Sequence, residues 1–182
     1  NGDTDRTPYT FGLTAAVDVP AVAGVIYVNG AASLSENGAT WQHGYRTLTN
    51  ALASAPNGSV FWVAQGTYDT AAGGNGMAVT TNTLYGGFQG HETALSQRDW
   101  SLYPTIVDGG GANRAFTKST AGTFTLDGFT VRNCDNSGAG GAITISAGTL
   151  SIANCVFTNN TAGSFGGAIN SSGTLDLSGG NN

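Results

Sequence analysis

A tandem repeat at residues 122–182 limits what this chain can fold into more than any other feature. The segment from Gly122 to Ser146 (GTFTLDGFTVRNCDNSGAGGAITIS) aligns with that from Gly148 to Ser172 (GTLSIANCVFTNNTAGSFGGAINSS) and with a shorter one from Gly173 to Asn182 (GTLDLSGGNN). The copies start 26 and then 25 residues apart. A period of this length marks a solenoid, in which one unit buries its apolar face only by stacking on the next.

Apolar and polar residues alternate within each copy. Phe124, Leu126, Phe129 and Val131 recur as Leu150, Ile152, Cys155 and Phe157, with Thr, Asp, Ser, Ala, Asn or Gly between them. Period 2 predicts strands. A second short strand is predicted after each Gly-Gly pair, at 142–145 and at 168–169. The Asn/Gly/Ser-rich segments 133–141 and 159–167 are then the turns, where positive φ costs little. No ten-residue stretch of 122–182 has the periodicity of a helix. Short strands with no helix between them predict an all-β chain folded as a right-handed parallel β-helix.

The repeat residues carry a resemblance. Gly140-Gly141-Ala142-Ile143 and Gly166-Gly167-Ala168-Ile169 resemble the GGA-aliphatic motif of the polymorphic outer-membrane protein repeats of autotransporter adhesins. Phe157-Thr158-Asn159-Asn160 resembles their FxxN motif, from which the first copy departs with Val131-Arg132-Asn133. More broadly the chain resembles secreted bacterial β-helix proteins with a pectate-lyase-like fold. Their N-terminal cap pattern is matched by Tyr27-Val28, Trp41, the run from Ala51 to Ala55, and Phe61-Trp62-Val63-Ala64-Gln65-Gly66-Thr67-Tyr68. Leu84-Tyr85-Gly86-Gly87-Phe88, Gln97-Arg98-Asp99-Trp100 and Thr105-Ile106-Val107-Asp108-Gly109 extend the likeness over about residues 25–182. The resemblance implies a fold and an extracellular setting; many such proteins are adhesins and some degrade polysaccharides.

Composition narrows the function classes. Charged residues are only 9% of the 182, against roughly 25% in typical domains. Net charge is −5 and the six basic residues are scattered, so no nucleic-acid footprint is present. No apolar run is long enough for a transmembrane helix. Asn1 in place of Met reads as a secretory leader already removed. Cys155 aligns with Phe129, an inward position, and Cys134 with Asn160, in a turn. Strand length puts these columns roughly 17 Å apart, too far for a disulfide, so two free cysteines are expected.

Ahead of the repeats, residues 1–24 read as an extended arm. Tyr9, Phe11, Leu13, Ala15, Val17 and Val19 alternate with smaller or polar residues between Pro8 and Pro20. Residues 25–58 read as a cap, with an amphipathic helix over about 45–55 that packs on Trp41 and Tyr45 and covers the open end of the solenoid. Residues 59–121 read as irregular coils. They include a Gly/Thr/Asn loop at 70–83 and a longer excursion at 91–104.

Candidate chemistry is sparse. His91, Glu92, Arg98 and Asp99 form the densest polar cluster and are read as structural, with Arg98 paired to Asp99. Asp108, Asp127, Asp135 and Asp176 are the carboxylates on the coils, and no column of the repeat alignment holds two of them. Lys118 is the only lysine. His43 and His91 stand apart with no metal-ligand spacing, and no phosphate loop is present. Neither catalytic nor metal-binding residues are assigned and no cofactor is expected. Asn159 and Asn170, both in sequons, are read as turn or ladder residues stacked with Asn133.

These features lead to the expectation of a non-catalytic extracellular structural or adhesive protein. The third repeat is unfinished in this sequence, so Leu175 and Leu177 would face an open coil end. One expectation is that copies stack end to end into a filament, the alternating arm of one pairing with that coil in the next. An alternative is that the chain is the N-terminal part of a larger adhesin. A second is a polysaccharide lyase or glycoside hydrolase. The partners expected are thus another copy or the rest of an adhesin, together with surface glycans.

Overall fold

The computed structural model describes residues 20–70, 73 and 75–177. Strand β1 (Val25–Val28) leads through a loop to a short helix, α1 (Leu48–Ser54). The next coil is β2 (Val60–Ala64), β3 (Gly66–Asp69) and β4 (Met77–Val79), followed by β5 (Thr83–Phe88), β6 (Thr105–Asp108) and β7 (Phe116–Lys118). Then come β8 (Thr123–Asp127), β9 (Phe129–Arg132), β10 (Asp135–Asn136) and β11 (Ile143–Ile145). The last full coil is β12 (Thr149–Ala153), β13 (Val156–Thr158), β14 (Thr161–Ala162) and β15 (Ile169–Ser171), and β16 (Thr174–Asp176) opens another.

Each strand pairs in parallel with its counterpart one coil away. The first sheet runs β1-β2-β5-β8-β12-β16, the second β3-β6-β9-β13 and the third β4-β7-β11-β15, with β10-β14 as a two-stranded strip. The chain is a parallel β-helix. Register follows the repeat: Thr123 pairs with Thr149 and Thr149 with Thr174. Between β5 and β8 the interval widens, Thr83 pairing with Thr125, and the excursion at 89–104 takes up the extra length.

Inward side chains form continuous columns. Phe61, Leu84, Leu126 and Ile152 stack in the first sheet, Tyr68, Val107, Val131 and Phe157 in the second, and Met77, Phe116, Ile143 and Ile169 in the third. The alternation seen at Phe124–Val131 belongs to two strands. Gly128 turns the corner between them at φ 81°, and Asn154 does the same one coil on at φ 51°. That corner shifts the phase of the inward residues from even to odd positions. Asn133 and Asn159 are likewise left-handed, at 50° and 53°, a conformation Asn adopts more readily than other non-Gly residues. Asn170 does not join them; it pairs with Thr144 in the third sheet.

The glycine motif has a steric cause. A Cβ on Gly141 would strike the carbonyl oxygens of Gly167 and Thr161 in the next coil. Gly140 and Gly166 turn at positive φ, and Ala142 is fully buried between them and the third sheet. Asn160 ties coils together: its Oδ1 accepts from the Cys134 N–H at 3.0 Å and its Nδ2 donates to the Val131 carbonyl at 3.0 Å. Phe157 packs partly buried against the core above Val131.

Several expectations need correction. The helix starts at Leu48 rather than about 45, because Tyr45 makes a parallel bridge to Val28 and Thr47 is the N-cap, its hydroxyl accepting from the Asn50 N–H at 3.1 Å. Leu48 and Ala51 face the core, against β1 and β4. Trp41 lies elsewhere, in a second apolar cluster with Tyr27, Trp62 and Phe88. Tyr27 and Trp62 pair in register on the outer face of the first sheet. The loop at 70–83 contains β4, whose Met77 and Val79 point inward. Cys134 lies in the turn between β9 and β10, where it is fully buried; neither cysteine is in a disulfide, and burial pushes each thiol up to about 11, so neither is a reactive thiolate. Residues 20–24 turn into β1, the Val22 N–H donating to the Tyr27 phenol oxygen at 2.7 Å. The arm residues Tyr9, Phe11, Leu13, Ala15, Val17 and Val19 lie outside the described residues.

Gly141→Ala forces apart two stacked coils and is expected to cost about 1–3 kcal/mol. Urea unfolding followed by circular dichroism measures it; an unchanged midpoint would contradict the steric account.

Candidate functional site

The outer face of the first sheet carries most of the polar structure. One column of outward positions reads Tyr27, Trp62, Tyr85 and Asp127 down successive strands. The excursion at 89–104 folds back over this column. At its start Glu92 is buried, and its carboxylate accepts from the N–H groups of Gln89 (2.6 Å), Gly90 (2.9 Å) and His91 (2.9 Å). The Glu92 carbonyl accepts from the Trp41 indole N–H at 3.0 Å. Gly87 lets the return pass close: a Cβ there would meet the Trp100 backbone at 2.7 Å.

Arg98 anchors the return, and it pairs with Asp127 rather than with its neighbour Asp99. Its Nη2 donates to Asp127 Oδ2 at 2.6 Å, and its Nη1 donates to the carbonyls of Gly86 and Asp127, each at 3.3 Å. The guanidinium carbon sits 5.0 Å from the Tyr85 ring centre and 4.9 Å from that of Trp100, within cation–π range. Asn154 in the next coil donates to Asp127 Oδ1 at 2.8 Å. Asp99 instead accepts from Ser101 and from the Leu102 N–H, which hold its carboxyl below the usual aspartate value.

A column of outward positions in the second sheet reads Asp69, Asp108, Arg132 and Thr158. It sets two carboxylates on adjacent strands, which the alignment of residues 122–182 missed because Asp69 and Asp108 precede the repeats. Arg132 Nε donates to Asp108 Oδ2 at 2.7 Å, and the Gly110 N–H and the Asn133 amide also donate to that carboxylate. Burial works to raise the Asp108 pKa, but these donors override it and hold the carboxyl below the usual value.

Lys118 occupies an inward column of the third sheet, between Val79 and Ile145, and is fully buried. Its ammonium donates to the carbonyls of Thr80 (2.8 Å), Thr120 (2.7 Å) and Ala121 (3.3 Å). Burial pulls its pKa below the usual lysine value. Arg114 is likewise bound to backbone, donating to the carbonyls of Gly140 at 2.7 Å and Ala139 at 2.6 Å. Among the described residues no group of three or more His, Cys, Asp or Glu side chains is gathered as for a metal ion, and His43 and His91 lie in separate loops. Asp135 and Asn136 line a polar groove of about 470 Å³ with Ser137 and Thr161.

At the other end of the stack, Ile152, Cys155, Val156, Phe157, Ile169, Leu175 and Leu177 surround an apolar cavity of about 410 Å³. Val156, Leu175 and Leu177 are exposed, and Phe165 nearby is 76% exposed. Among the described strands, β13, β15 and β16 each pair with one neighbour only. No helix of the described residues is long and apolar enough to cross a membrane.

A family model described as a protein of unknown function (DUF1565) matches residues 28–181. No curated protein and no solved structure matches the chain.

Two outcomes check this geometry. Asp127→Ala leaves Arg98 largely buried without its carboxylate and is expected to cost about 3 kcal/mol in urea unfolding, with Trp100 becoming more open to acrylamide quenching. Asp108 has a folded-state pKa below its unfolded value of about 3.9, so its contribution is full above that pH and is lost as pH falls through the folded value. The fall in urea midpoint between pH 7 and pH 3 should therefore be smaller in Asp108→Asn; an identical fall would remove Asp108 from the account.

Proposed function

The chain belongs to the DUF1565 family, and from that premise we propose that it is a non-catalytic extracellular β-helix, a structural and adhesive scaffold of a bacterial surface. The observation that carries this reading is how the charged side chains of the coils are used. Arg98 with Asp127, Arg132 with Asp108, Lys118 and Arg114 each hold one segment of chain to another, and the Glu92 carboxylate closes its own loop. Catalysis needs a titrating group poised at substrate, whereas these groups are committed to the frame. The likeness of the Gly140–Ile143, Gly166–Ile169 and Phe157–Asn160 motifs to polymorphic outer-membrane protein repeats supports an adhesive role; that the chain is the N-terminal part of a larger adhesin is the alternative to self-assembly. Secretion and surface display belong to the same proposal.

The apolar coil end favours a second element of this reading, self-association. Exposed Val156, Phe165, Leu175 and Leu177 lie beside strands with one neighbour each, a surface suited to β-strand addition. The strand taken up is the alternating run at residues 9–19 of another copy. Such a contact joins unlike surfaces and propagates as a filament.

Two experiments test these elements. The protein incubated with pectic, glucan and xylan polysaccharides is expected to release no new reducing or unsaturated ends; an activity lost in Asp69→Asn or Asp108→Asn would establish the enzymatic alternative. Sedimentation is expected to show polymers that disappear on deletion of residues 1–19 and in Leu175→Glu/Leu177→Glu. Monomers in the unaltered protein would refute self-assembly and leave a further coil of a longer chain as the occupant of that end.

A further inference from the structure

We propose that Trp100, with the groove beside it, is a binding platform for the pyranose rings of a neutral polysaccharide. The three tryptophans divide sharply by environment. Trp41 and Trp62 are 2% and 4% exposed and lie within the outer apolar cluster. Trp100 is 42% exposed. Leu95 and Leu102 are exposed in the same excursion. A groove of about 650 Å³ lined by Leu95, Ser96, Arg98 and Trp100 opens alongside, within the size range of small-ligand sites, roughly 300–1,000 Å³.

The chemistry of the lining selects the ligand. A pyranose has an apolar face of ring C–H groups and a rim of hydroxyls. An exposed indole gives the first a large flat partner, and the Ser96 hydroxyl both donates and accepts for the second. The platform is also preorganised. Arg98 lies against the Trp100 ring and is itself fixed by Asp127, which Asn154 holds from the next coil. Little side-chain freedom remains to be lost on binding.

Charge decides between neutral and acidic sugars. The guanidinium of Arg98 is already neutralised at 2.6 Å by Asp127 and bound to two carbonyls. Asp99, adjacent in the excursion, adds a further carboxylate. The site thus offers no uncompensated cation to a uronic acid, and the chain as a whole carries −5.

This inference rests on the non-catalytic, surface-binding part of the proposal above and is independent of self-assembly. The test titrates the intact protein with the neutral hexasaccharides of β-1,4-glucan, β-1,4-mannan, β-1,4-xylan and α-1,4-glucan, and with hexagalacturonate. Because Trp100 is the exposed indole, its emission reports binding directly, and saturation-transfer NMR reads the variants. At least one neutral hexasaccharide is expected to shift the emission and to be recovered uncleaved. Trp100→Ala is expected to weaken it at least about tenfold and Trp100→Tyr much less, with circular dichroism unchanged in both. No shift with any neutral sugar, binding unaffected by Trp100→Ala, or stronger binding of hexagalacturonate would each overturn the platform. Cleavage of a bound sugar would overturn the non-catalytic reading instead.

Discussion

Parallel stacking of one coil on the next governs everything else in this molecule. Each strand draws its hydrogen bonds from a strand one coil away, so each backbone position must recur at the same height and lateral place. Columns of like residues follow directly: Phe61, Leu84, Leu126 and Ile152 inside, Tyr27, Trp62 and Tyr85 outside. Coils lie about 4.8 Å apart, which leaves no room for a side chain aimed along the axis. Gly141 and Gly163 face carbonyl oxygens of adjacent coils for this reason.

The same constraint decides where functional variety can sit. Strands are fixed by their neighbours on both sides, but the links between sheets are not. The long link between β5 and β6 carries the excursion at 89–104, with its indole, guanidinium and carboxylates, while the link at the same corner in later coils shrinks to Gly128 or Asn154. A single lengthened corner thus places a chemically distinct surface on an otherwise uniform face. It is fastened from both sides, by the Trp41 indole N–H donating to the Glu92 carbonyl at one end and the Arg98–Asp127 pair at the other.

The architecture was legible in the sequence because stacking imposes a period, and a period survives in a single chain. The strands of the repeats, the outward turns at Asn133 and Asn159 and the buried Cys155 all follow from aligning two copies. What the alignment lacked was register outside the repeats. Asp69 and Asp108 sit on neighbouring strands 39 positions apart in sequence, a spacing set by the excursion rather than by the repeat. Arg98 similarly reaches a carboxylate far along the chain in preference to its neighbour, while Asp99 accepts from Ser101 instead. Tyr45 carried helical spacing, yet a bridge to Val28 claimed it for the sheet. Long-range pairing won over local pattern in each case.

Lys118 gives this near-uniform stack an address. Coils of similar length and similar columns are close to interchangeable, and a strand displaced by one coil would still find apolar residues above and below. Lys118 is different from its column neighbours Val79 and Ile145. Its ammonium is held by the Thr80 carbonyl from the coil before and by the carbonyls of Thr120 and Ala121 on its own link. Displaced by one coil it would keep Thr120 and Ala121, which move with it, but lose the Thr80 carbonyl, leaving a buried charge with one acceptor fewer. One lysine thereby favours the correct alignment of β4 and β7 over its slipped alternatives, by penalising the wrong pairing through the loss of the Thr80 acceptor.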